Sequence, residues 1–162
     1  MKEIKKIELV FEEYENAGSL SSPDTSLLEA ARLATGNAYA PYSHYHVGAA
    51  ALLATGQVVT GANQENASSP AGICAERVLL STLASQFPGV PVSAIAISYD
   101  NKQGISDHPI SPCGICRQSL LEYETRLDQP IRIILGGLHG KIIVLKDAKG
   151  LLPLGFTKEE MI

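Results

Sequence analysis

A chain of 162 residues with 45% apolar and 19% charged residues has the size and composition of one globular domain. The net charge of −4 and thirteen scattered Lys and Arg leave no basic face for a nucleic-acid backbone. The longest apolar run, residues 47–54, is too short to span a bilayer.

Residues 3–14 alternate loosely and read as a first strand, and residues 17–22 as a small-residue linker. A helix follows over about 23–38, started either by Ser22 with Pro23 or by Ser26 with Glu29 as a capping box. Residues 47–53 and 57–60 read as a hairpin turning at Thr55-Gly56. A loop over 61–72 leads into a second helix near Ile73, whose Leu80, Leu83 and Phe87 share a side. Residues 92–99, apolar on both faces, make a central strand. Ser111 and Pro112 read as the cap and first residue of a third helix. Strands over 131–135 and 142–145 close the pattern. The expected fold is a three-layer α/β/α sandwich around a mixed sheet of about five strands. One domain covers residues 1–162, with 1–22 as an N-terminal extension.

The three cysteines carry the chemistry. An odd number, two of them as C-x-x-C, argues against a disulfide framework and suits a reducing cytoplasm. The N-terminus has lysines but no apolar stretch behind them, so no signal peptide is expected. Cys74 and the pair Cys113 and Cys116 fall in the first turns of predicted helices, where free N–H groups and the helix dipole favour thiolates. Spacing i, i+3 turns Cys113 and Cys116 to one side. Three soft ligands suit one Zn²⁺ with a position left open for water. Glu76, two residues after Cys74, is placed to move protons beside that water. Arg77 is placed to donate hydrogen bonds to a ligand sulfur and offset the negative charge of three thiolates. A closed structural site would need a fourth ligand from His44, His46, His108 or His139, none spaced for it. A redox pair at Cys113 and Cys116 would leave Cys74 and Glu76 without a task.

Four segments in order extend this reading. They are A-P-Y-S-H-Y-H-V-G-A-A from Ala40, G-A-N-Q-E-N-A from Gly61, P-A-G-I-C-A-E-R from Pro70 and S-P-C-G-I-C-R-Q from Ser111. Together they resemble the cytidine deaminase family in its small form with three cysteine ligands. The resemblance runs over about 27–156. It implies hydrolytic deamination of cytidine and 2′-deoxycytidine to uridine and 2′-deoxyuridine, a step of pyrimidine salvage. It implies one zinc per chain on Cys74, Cys113 and Cys116, and hydroxide attack at C4 with Glu76 as proton shuttle. It further implies that Asn63 and Glu65 hold the ribose, that the Ala75 main chain fixes the base, and that Tyr45 lines the base pocket. Phe156 would reach a neighbouring subunit's site in a cytoplasmic homotetramer acting on free nucleosides, without nucleic acid or membrane as partner. Ser69 departs from the aromatic that relatives commonly carry there. Alternatives are a deaminase of modified nucleosides resembling blasticidin S deaminase, a polynucleotide deaminase, or a silent zinc-binding module. The intact Asn63-Gln64-Glu65-Asn66 loop, the acidic charge and the presence of Glu76 weigh against these in turn.

Overall fold

The structure is a computed structural model and describes residues 1–161. Its strands are β1 (Glu12–Tyr14), β2 (Tyr45–Leu53), β3 (Val58–Ala62), β4 (Val92–Asn101), β5 (Arg132–Gly136) and β6 (Ile142–Leu145). They form one sheet in the order β1-β6-β5-β4-β2-β3. Only β4 and β5 pair in parallel, joined through a helix as parallel neighbours must be. The sheet thus has six strands rather than about five. The strand expected over 3–14 pairs only at residues 12–14, because its neighbour β6 is four residues long.

Three α-helices flank the sheet: α1 (Ser22–Ala34), α2 (Ala75–Gln86) and α3 (Gly114–Leu127). The cap of α1 is Ser21, one residue before the nearer of the two expected starts. Its Oγ accepts from Asp24 N and donates to Asp24 Oδ2 at 2.8 Å. The helix ends at Ala34, and Thr35–Asn37 tighten into a 3-10 turn through Gly36, the weak residue of the predicted last turn. The other two starts shift toward the cysteines. Cys74, not Ile73, caps α2, and Cys113, not Ser111, caps α3. Pro112 therefore lies outside its helix instead of opening it.

Strand alternation divides the core in two. Ala49, Ala51, Ile95, Ile97, Ile133 and Leu135 face α2 and α3, packing with Leu79, Leu83 and Leu120. Ala50, Ala94, Ala96 and Ile134 face α1, packing with Leu27, Leu28 and Ala31. The small residues on the second side let α1 lie close to the sheet. At Gly48 a Cβ would stand 2.1 Å from the Ala31 carbonyl oxygen, so no other residue fits without moving the helix.

Strand direction then positions the site. β2 runs antiparallel to both β3 and β4, so β3 and β4 point the same way. The loops that follow them emerge at one edge of the sheet and feed α2 and α3. Two helix N-termini, each capped by a cysteine, therefore face one another. Gly61 seats α2 against β3, since a Cβ there would lie 2.6 Å from Leu79 N and 2.8 Å from Ala75 O. Among the described residues no helix is long and apolar enough to cross a membrane.

Candidate active site

The three thiols converge. Their sulfurs all lie within 4.8 Å of one another, with 3.9 Å between Cys74 Sγ and Cys113 Sγ. Two thiolates on one tetrahedral zinc, each at ~2.3 Å, stand about 3.8 Å apart, so the cluster fits that ion. None of the four histidines joins the group among the described residues. Cys116 is fully buried in the first turn of α3, Cys74 is half-buried and Cys113 is exposed. The Cys74 thiol is brought down to about 6, first by the Cys116 thiol beside it, then by Cys113 and the Arg77 charge. Cys116 moves the opposite way, pushed up by Cys74 and by burial. The negative charge of this pair therefore settles on Cys74 rather than Cys116.

Glu76, the second residue of α2, is 5% exposed. Burial raises its carboxyl above the usual range, while its own N–H and the Cys116 thiol hold it partly down. Ala75, fully buried, supplies a first-turn N–H that the helix itself leaves unpaired. Arg77 follows on the same turn, near enough for its charge to favour the Cys74 thiolate.

Beside Cys74 opens a cleft of about 430 Å³, lined by Tyr42, Asn63, Glu65, Ser69 and Ile73 among others. Backbone pairing builds its wall. Gln64 and Ile73 exchange both N–H···O bonds at 2.9 Å, while Asn63 O accepts from Tyr39 N and Glu65 N donates to Tyr39 O. The 63–65 segment is thereby held between Tyr39 and the residue before Cys74.

The polar side chains here are partly committed. Asn63 Oδ1 accepts from Val47 N at 2.8 Å, and Asn63 Nδ2 donates to Tyr45 O at 3.0 Å. That side chain therefore takes the place of a ladder partner at the start of β2. Glu65 Oε2 accepts from Tyr42 N at 2.9 Å and Ser43 N at 3.3 Å, and the Ser43 hydroxyl first, then these N–H groups, lower its pKa. Tyr45 and Phe156 do not line this cleft. Tyr45 stacks on Tyr99 with centroids 5.0 Å apart. Phe156 is exposed on the C-terminal tail, where its carbonyl accepts from Gln118 Nε2 at 2.8 Å.

With this geometry in view, comparison with known proteins decides the family. A model described as "Cytidine and deoxycytidylate deaminase zinc-binding region" matches residues 21–127. The chain belongs to this deaminase family. A cytidine deaminase of Halalkalibacterium halodurans is 40% identical over 135 residues, covering 83% of this chain and 95% of its own. One from Mycobacterium tuberculosis is 41% identical over 102 residues, covering 61% and 72% respectively. The crystal structure of cytidine deaminase from Burkholderia pseudomallei matches with a TM-score of 0.70 at 38% identity. It is covered completely, over 85% of this chain.

Two features of this deaminase-family chain escaped the sequence reading. Arg117 Nε donates to Pro112 O at 2.8 Å and its Nη1 to Leu151 O at 3.2 Å. Glu124, buried in α3, accepts from Ile131 N at 2.8 Å, Ala148 N at 2.7 Å and Lys149 N at 3.3 Å. Arg117 belongs to the segment from Ser111 to Gln118, yet nothing in its spacing names its carbonyl partners. Glu124 carries no sequence signal, since its donors lie up to 25 residues away.

Proposed function

We propose that the protein catalyses the zinc-dependent hydrolytic deamination of cytidine and 2′-deoxycytidine to uridine and 2′-deoxyuridine, releasing ammonia. The observation that carries this reading is three converging thiols with a buried glutamate, beside a cleft that holds Asn63 and Glu65. Cys74, Cys113 and Cys116 hold one zinc per chain. Bound there, zinc would lower the pKa of water toward ~7 and so supply a nucleophile at neutral pH. Glu76 takes the proton of that water and hands it to the base at N3 as C4 is attacked. It then takes the second proton from the new C4 hydroxyl and passes it to the departing amine, leaving the C4 carbonyl of the product. Its burial suits the task, because a carboxylate of raised pKa takes a proton from water more readily than an exposed one. Main-chain groups at Ala75 fix the base, and Arg77 offsets the thiolate charge.

Glu65 Oε1 and the remaining N–H and lone pair of Asn63 receive the ribose hydroxyls. Asn63→Ala is expected to raise KM for cytidine at least tenfold and lower kcat. It should also cost about 2 kcal/mol of stability, since two backbone groups of β2 lose their partner. Steady-state kinetics with thermal unfolding check both. An unchanged KM would remove Asn63 from the ribose site.

Exposed Phe156, Leu154 and Ile115 support a homotetramer in which Phe156 completes a neighbour's site with Tyr45. Light scattering is expected to give four times the 17.2 kDa chain mass, and a monomer would refute that assembly. Three free cysteines suit a cytoplasmic location.

The test is the ultraviolet absorbance of cytidine mixed with zinc-analysed protein. A falling cytidine signal with matching ammonia supports the reading. A flat trace with one zinc bound per chain would reject it and turn the search to modified nucleosides.

A further inference from the structure

Cys113 is the exposed member of the cluster. It is followed by Gly114, around which a Cβ would meet no neighbour within 4 Å. Packing does not hold this residue, so its backbone needs another restraint if Sγ is to keep its direction. Arg117 supplies it twice. Its side-chain Nε donates to Pro112 O at 2.8 Å, and its backbone N donates to Cys113 O at 2.9 Å. These carbonyls belong to the two peptide planes on either side of the Cys113 Cα. Holding both holds φ and ψ of Cys113, at −67° and 169°, and with them the Cα–Cβ direction.

The guanidinium is itself anchored. Its Nη1 donates to Leu151 O at 3.2 Å, and the Leu151 side chain is buried in the core against α2 and α3. Glu124, two turns further along α3, holds the N–H groups of Ala148 and Lys149 that lead into Leu151. A rigid frame therefore reaches the exposed cysteine through one planar, forked cation, which a lysine cannot imitate at two carbonyls.

We propose that Arg117 is a positioning residue for the metal centre, fixing Cys113 by clamping the carbonyl before it to the core-anchored carbonyl of Leu151. This rests on the zinc reading above. Groups that orient metal ligands typically change affinity by about 10–100-fold when removed. In the zinc-loaded protein, Arg117→Ala is expected to release zinc to a chromogenic chelator at least about tenfold faster. kcat should fall while KM for cytidine stays within about twofold. Arg117→Lys should recover only part of the release rate, and it carries the test if the alanine variant does not fold. In the cobalt(II) forms, the thiolate charge-transfer band should shift in both variants at unchanged helical circular dichroism. Gln118→Ala frees the tail only at Phe156 and is expected to release zinc at the wild-type rate. Wild-type release from both Arg117 variants would overturn the proposal, as would equal acceleration by Gln118→Ala. A wild-type protein that binds no zinc would instead overturn the zinc reading, and the proposal with it.

Discussion

Glu76→Gln is expected to lower kcat for cytidine by about 10³-fold while one zinc per chain stays bound. Glutamine has nearly the same shape, so the first turn of α2 and the Cys74 cap are retained. What it lacks is a site that accepts a proton from water and returns it to the base and the amine. Acid–base groups of this kind contribute about 10²–10⁴-fold, so the loss should be large but not total. Because Glu76 is 5% exposed, buffer has little room to take over the shuttle. Metal analysis alongside ammonia release checks both halves. A variant with turnover near wild type would remove Glu76 from the proton path. A variant without zinc would assign it to the metal instead.

Cys116→Ala is expected to reduce bound zinc from one per chain to below about one-tenth, with turnover falling to background. Cys116 is fully buried in the first turn of α3 and supplies one of only three thiols in the cluster. Losing a third of the donors leaves two thiolates that hold zinc poorly. The thermal shift separates two causes. Truncating a buried thiol to a methyl leaves a small cavity, worth about 1 kcal/mol. Loss of a tightly bound metal removes a linkage contribution several times larger, at about 1.4 kcal/mol per tenfold of affinity. Metal-free wild type and metal-free Cys116→Ala should therefore unfold within a few degrees of each other. With zinc present the gap should widen well beyond that. Full zinc occupancy and activity in the variant would exclude Cys116 from the centre.

Much of the fold was legible because its signals are local. The doubly apolar run around Ile95-Ala96-Ile97 marked a central strand, and β4 lies in the interior of the sheet. The turn at Thr55-Gly56 marked the β2–β3 hairpin. Helix starts lie one or two residues from the expected positions at α2 and α3, and one residue from the nearer expected start of α1, because boundaries carry weaker signals than helix interiors. The stretch over 3–14 alternates like a strand, but how much of it pairs depends on the length of β6, which its own residues do not encode.

The candidate site divides along the same line. The residues alone specify which chemistry is available: three thiols, a glutamate two residues after one of them, and the Asn63-Gln64-Glu65-Asn66 segment upstream. That the thiols meet follows from the packing of distant elements. Cys74 and Cys113 are 39 residues apart and join because β3 and β4 run the same way, bringing α2 and α3 to one edge of the sheet. Only the tertiary structure committed the Asn63 amide to Tyr45 and Val47, turned Glu65 toward Tyr42 and Ser43, and gave Arg117 its two carbonyls. Residue type sets what a side chain can donate, accept or ionise. Its partners are set by where distant backbone passes, and that follows from strand direction and from which helix packs on which face.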